Sequence, residues 1–212
     1  MKKTYSKTHI LVECALMIAL ATVLSFIPIY ELPHGGSITL VSMLPILVVS
    51  FRHGTKWGLF TAFVHSLIQL LLGLKNVGYC QSIGAILGCI FLDYILAFTV
   101  LGLAALVARP IRNKYVGVGV GSLVVCLARF LCSFFSGYIV WKDYDYAFSW
   151  MKDFGFGQKI LAMGENALCW LYSAVYNATY MLPETILTVI VAIIVIPRLI
   201  PKADAQPAVK AE

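Results

Sequence analysis

Six apolar stretches dominate this chain, and they decide what it can fold into. They run from Ile10 to Tyr30, Thr39 to Phe51, Trp57 to Leu74, Ser82 to Ala108, Tyr115 to Trp141 and Glu165 to Ile200. A helix crossing the hydrocarbon of a bilayer takes about 20 apolar residues. All but the second stretch reach or approach that length, and the second predicts a tilted or half-buried helix. The segments are continuous rather than alternating, which points to helices and not to barrel strands. The expectation is an all-α integral membrane protein of six transmembrane helices in the cell membrane.

Composition agrees: 60% of the 212 residues are hydrophobic and 12% charged, against about one-quarter charged in an average soluble domain. Residues 1–200 read as one membrane domain. Residues 201–212, rich in Ala and Pro, read as a short cytoplasmic tail. The basic start followed by an apolar run imitates a secretory signal. However, the run is long and ends in Phe26, Pro28 and Tyr30 rather than at a small-residue cleavage site, so a retained first helix is expected.

Orientation follows from Lys and Arg in the connections. With the N-terminus inside, the inner segments hold Lys2, Lys3, Lys7, Arg52, Lys56, Arg109, Arg112, Lys114, Arg198, Lys202 and Lys210. The outer ones hold only Lys75, Lys142, Lys152 and Lys159. Six spans then put both termini in the cytoplasm. The net charge of +6 is accounted for by topology, and no nucleic-acid surface is expected. The six cysteines form no CxxC pair and mostly fall inside spans, where cysteine is usually a small apolar packer, so no metal site is expected. Small residues four apart, as at Ala15 and Ala19, Gly84 and Gly88, and Gly117 and Gly121, allow helices to pack closely.

Ionisable groups at bilayer depth are costly and face a cavity or one another. Glu13 lies near the inner end of its run and can reach water. Asp93, Arg129 and Glu184 lie deeper. At about 1.5 Å per residue, Asp93 and Arg129 each sit roughly 16–17 Å from the outer surface. Arg129, Ser133 and Ser136 share one helical stripe, and Trp170, Ser173, Asn177, Tyr180 and Glu184 another. Arg129 could serve as a structural partner of Asp93 or of Glu184. For Asp93 a ligand role is favoured, because Tyr138, Trp141, Tyr144, Tyr146, Trp150, Tyr172 and Tyr176 crowd the outer side above it. An aromatic box over a carboxylate suits a flat cation.

No catalytic set competes. The chain has no GxxxxGK[ST], HExxH or GxSxG, His34 and His53 fall in predicted loops, and no cofactor is called for. Any active transport must draw on a partner or an ion gradient.

The segments ECALMIALATVLSFIPIY (13–30), GGSITLVSMLPI (35–46), LDYILAF (92–98), ARFLCSFFSGYIVW (128–141) and YSAVYNATYMLPE (172–184) together resemble the thiamine-specific S components of energy-coupling factor vitamin transporters, the ThiT family. The resemblance covers nearly all of the chain in five ordered blocks. It implies an S-component fold of six helices that captures thiamine from outside a bacterial cell. It also implies a separate transmembrane coupling protein and two cytoplasmic ATPase subunits as partners.

By the same resemblance, ligand residues map to Asp93, Tyr94, Gly137, Trp141, Tyr172 and Asn177, and the coupling protein docks on Ala15 and Ala19. Asp93 stands where the family has Glu. Ser133 stands where His is usual, and Tyr79 and Gln81 are candidates to compensate. A related ligand such as hydroxymethylpyrimidine therefore stays open beside thiamine. From other classes, a proton-coupled secondary transporter stays open, as does a membrane enzyme built on His65 and Asp93. The loop Glu31–Ser37 is expected to form part of a lid.

Overall fold

The computed structural model describes residues 6–32 and 36–200. Its first helix, α1 (Lys7–Ser25), begins where the Ser6 side chain accepts a hydrogen bond from the His9 amide, satisfying one of the free N–H groups of the first turn. It ends earlier than the apolar run implies. Residues Pro28–Glu31 form a strand, β1, which pairs antiparallel with β2 (Ser37–Thr39). The all-α expectation is corrected to this extent. Pro28 lacks the N–H that would continue the helix, and the chain turns out into a hairpin instead.

The second run also starts later than expected. Thr39 belongs to β2, and α2 spans only Leu44–His53, with a proline in its first turn. Ten residues rise about 15 Å, half a bilayer core. His53, expected in a loop, is the last residue of this helix. After Gly54 at φ 86° comes α3 (Thr55–Leu72).

Helix α4 (Ile83–Ala108) is not regular. Residues Cys89–Leu96 are π-helical and Val100–Leu103 are 3₁₀. A π turn inserts extra backbone and shifts which side chains share a face, a device common at functional sites. Helix α5 (Lys114–Ile139) starts on an Asn113 cap. The outer connection contains an unforeseen helix, α6 (Tyr144–Met151), capped by Asp143. Helix α7 (Glu165–Leu199) continues through Pro183 and Pro197.

Four of these helices, α1, α4, α5 and α7, are long and apolar enough to cross a membrane. Their outward faces carry Leu16, Leu20, Phe91, Leu131, Ile186 and Ile190, each at least 46% exposed. Large apolar side chains on the outside over such lengths fit hydrocarbon as the surrounding solvent.

Backbone contact holds the bundle where small residues permit it. A Cβ on Gly58 would lie 2.7 Å from the Gly102 carbonyl oxygen, so α3 and α4 touch main chain to main chain. Ser50 ties α2 to the same place, donating to the Gly102 carbonyl at 2.8 Å and accepting from the Ala105 amide at 3.1 Å. Around this seam Ala21, Ile46, Leu47, Ala62, Leu101, Val125 and Ile196 form a core. At the same end of the bundle, Glu13 pairs with Arg52 Nε at 2.8 Å and His53 Nε2 at 2.9 Å. Arg52 also donates to the Leu199 carbonyl at 2.8 Å. Glu13 is thus the centre of a polar clamp joining α1, α2 and α7. The tail 201–212 lies outside the described residues.

Candidate ligand-binding site

A cavity of about 540 Å³ opens between the hairpin, α3, α4, α5, α6 and α7. That volume is in the range of small-molecule pockets. All seven residues expected to meet a ligand, Asp93, Tyr94, Ser133, Gly137, Trp141, Tyr172 and Asn177, line this one space. They come from α4, from α5 and the connection just after it, and from α7.

Asp93 sits in the π-helical part of α4. Its Oδ2 accepts from Ser136 Oγ at 2.7 Å and from the Trp141 indole N–H at 3.0 Å. These donors fix the carboxylate against the end of α5, and Trp141 stands in the wall with its N–H aimed at the acid. Next to it, the Tyr94 hydroxyl donates to the Gly73 carbonyl at 3.1 Å and lies 3.4 Å from Asn76 Nδ2. This fastens α4 to the end of α3.

Gly137 is required by the packing of α5 on α7, because a Cβ there would overlap the Ser173 hydroxyl. Ser173 in turn donates to the Phe134 carbonyl at 2.7 Å. Asn177 Nδ2 donates to the Ser173 carbonyl at 2.9 Å and reaches the Ser133 carbonyl at 3.3 Å, and its Oδ1 accepts from the Tyr180 hydroxyl at 2.7 Å. Much of the Asn177 amide is therefore engaged by the protein itself. Ser133 lines the same cavity.

The aromatic cluster divides in two. Trp141, Tyr146, Tyr172 and Tyr176 face the cavity. Trp150 lies behind, with its ring centre 5.5 Å from that of Tyr172 and 5.4 Å from that of Tyr176. Tyr138 stacks on Trp170 at 3.9 Å, away from the cavity lining. The edge contacts of Trp150 hold the Tyr172 and Tyr176 rings in place.

Two open questions from the sequence close here. Arg129 pairs with Glu184, Nη1 to Oε2 at 3.4 Å, whereas Asp93 is held by the neutral donors Ser136 and Trp141. Both Arg129 and Glu184 also line the cavity. Tyr79 and Gln81, in contrast, are not among the lining residues, and Tyr79 is 61% exposed. They do not fill the space beside Ser133. His65 lies behind the wall, near Gln69 at 3.3 Å and edge-on to Phe98. It is no partner for Asp93.

Several lining residues were not singled out as ligand contacts from the sequence: Glu31, Gln69, Asn76, Asp143 and Tyr180. Gln69 carried a usable signal, a polar residue inside an apolar run. Asp143 and Glu31 sit in connections, where charge is ordinary and gives no signal. Together Glu31, Asp93, Asp143 and Glu184 oppose the single cation Arg129 among the described lining residues. Such a surplus of carboxylates, focused by low-dielectric walls, favours a positively charged guest.

The family model for the thiamine transporter protein, Thia_YuaJ, matches residues 11–153. The thiamine transporter ThiT of Bacillus subtilis strain 168 is 32% identical to the chain over 183 residues, covering 85% of this chain and 86% of that protein. A solved structure of ThiT from Listeria monocytogenes superposes with a TM-score of 0.62 at 21% identity, over 92% of this chain and 99% of that one. At that identity the likeness shows the fold. The family-model match ends before α7, where the geometry places Tyr172, Asn177 and Glu184 in the cavity lining.

Proposed function

The chain belongs to the thiamine transporter protein family and is a multi-pass cell-membrane protein, and from that premise we propose that it captures thiamine as the S component of an energy-coupling factor importer. The family is one of transporters, not of enzymes. The observation that carries the reading is the cavity. It is walled by Trp141, Tyr146, Tyr172 and Tyr176, with the Asp93 carboxylate fixed among them and four acids against one cation in its lining. Thiamine is a flat, positively charged ligand, and aromatic faces with a nearby carboxylate bind such a cation by charge and by the ring quadrupole.

In this reading thiamine enters from outside under the β-hairpin. The thiazolium ring rests near Asp93 and Trp141, and Tyr172 and Asn177 meet the pyrimidine. Binding involves no covalent chemistry. The span count is six, with α2 and α3 joining α1, α4, α5 and α7, and with α6 on the outer surface. Both termini are cytoplasmic, as the excess of Lys and Arg on that side requires. Residues 1–200 act as one membrane unit.

The chain encodes no phosphate-binding loop, so energy comes from a transmembrane coupling protein and two cytoplasmic ATPases. Ala15 and Ala19 are both exposed on one side of α1, which supports their assignment as the docking stripe. Ser133 in place of an imidazole and the shorter Asp93 favour testing hydroxymethylpyrimidine as a second ligand.

The S-component role is tested by thiamine uptake into proteoliposomes. Accumulation is expected only when the coupling protein, the ATPases and internal ATP are present. Accumulation by the chain alone under a proton gradient would instead establish a secondary transporter.

A further inference from the structure

The second strand of the hairpin does more than roof the cavity, because its end is fastened to the deepest charged group in α7. We propose that Thr39 and Glu184 form a latch that positions the hairpin for ligand retention, an inference that rests on the cavity being the ligand site. The Thr39 hydroxyl donates to Glu184 Oε1 at 2.5 Å and lies 2.7 Å from Ser42 Oγ. Thr39 is 5% exposed and Glu184 2%. The other carboxylate oxygen of Glu184 faces Arg129 Nη1 at 3.4 Å, and the same guanidinium reaches Met43 Sδ at 3.0 Å. The segment Thr39–Met43 is therefore held at both ends by one ion pair.

Between those two anchors the backbone is strained. Val41 has φ 49° and is the one non-glycine residue with positive φ among the described residues. For a β-branched side chain this region is a true outlier. Its amide donates back to the Thr39 carbonyl at 2.8 Å, closing a tight three-residue turn. Such a conformation persists only where its surroundings over-determine it. The Thr39–Glu184 bond does so here together with the Arg129–Met43 contact and the Leu44 amide, which donates to the Val41 carbonyl at 2.9 Å. Breaking the Thr39–Glu184 bond frees the Thr39 end of the turn to relax toward an extended backbone.

A second contact holds the hairpin higher up. Gly36, at φ 90°, lies so close to the Tyr180 ring that a Cβ would stand 2.7 Å from Cε1. The Tyr180 hydroxyl bonds to Asn177. Asn177, Tyr180 and Glu184 follow one face of α7 at the helical period, so this face grips the hairpin at two heights. A ligand beneath leaves only when both grips open, and the lower one is a hydrogen bond from one buried side chain to the carboxylate of another, the stronger kind of hydrogen bond.

The test measures release of pre-bound radiolabelled thiamine into excess unlabelled thiamine, together with hydrogen–deuterium exchange of the ligand-free protein. In Thr39→Val, release is expected to be about tenfold faster, with exchange accelerated in residues 36–43 and unchanged in α4 and α5. Thr39→Ser, which keeps the hydroxyl, is expected to restore the wild-type rate and exchange. Gly36→Ala, which disturbs the upper grip without touching Glu184, is the second variant and is also expected to speed release.

Wild-type release from Thr39→Val, or release from Thr39→Ser as fast as from Thr39→Val, overturns the latch. If thiamine does not bind the wild type, the ligand reading fails by itself. The latch then stands or falls on the exchange of residues 36–43 in Thr39→Val.

Discussion

In the proposed function, ligand choice turns on Asp93. Its carboxylate already holds two donors from the protein, Ser136 and Trp141, so it is oriented before a ligand arrives, and pre-organisation of this kind lowers the cost of binding. Replacing it with Asn removes the charge while leaving a similar shape. Asp93→Asn is expected to weaken thiamine binding by about 2 kcal/mol, roughly thirtyfold, with little change in thermal stability, as calorimetry and a melting curve would show. Ser133→His places the family's usual imidazole back into the cavity. It is expected to change the ratio of thiamine to hydroxymethylpyrimidine affinities, measured by competition, whereas an unchanged ratio would remove Ser133 from the ligand's surroundings.

At the scale of elements, the irregular parts carry the site. The π-helical stretch Cys89–Leu96 presents Asp93 and Tyr94 to the cavity, and Glu31, Ser37 and Thr39 of the paired strands β1 and β2 line it as well. Neither was legible in the sequence. A hydrophobic run gives the same signal for a regular and a π-bulged helix. The hairpin strands are so short that Pro28–Tyr30 merged into the apolar stretch before them. The long helices α4, α5 and α7 were legible within a residue or two at most ends, because hydrocarbon demands continuous apolar length. The meeting of Asp93, Ser133 and Asn177 at one cavity was legible from polar residues at one depth in a membrane, which have to face something, whereas Gly137, Trp141 and Tyr172 were singled out as ligand contacts only through the family resemblance. The partner of Arg129 was not legible. Depth alone allowed either acid, and only the packing of α5 on α7 selected Glu184. The Gly58 and Gly102 seam gives an element-scale prediction. Gly58→Val forces α3 away from α4 and is expected to cost about 1–3 kcal/mol, seen as a lower melting temperature of the purified protein, while Gly84→Ala, where a Cβ meets nothing within 4 Å, is expected to be neutral.

For the whole molecule, the proposed function puts capture and delivery on different surfaces. The ligand cavity opens among α3 to α7 and the hairpin, while α1 shows an apolar outer face with Ala15 and Ala19 exposed. Ala15→Trp is expected to leave thiamine affinity unchanged and to abolish uptake in the assembled transporter, and a loss of binding in this variant would contradict the separation. The central claim is that this chain alone holds thiamine in the cavity around Asp93. Its most direct test is an equilibrium titration of the purified, partner-free protein with thiamine, followed by quenching of tryptophan fluorescence. Saturable quenching at one site per chain, lost in Trp141→Phe and weakened about thirtyfold in Asp93→Asn, is the predicted result. An absence of saturable response in the folded wild type, or full-strength binding by Asp93→Asn, would contradict it.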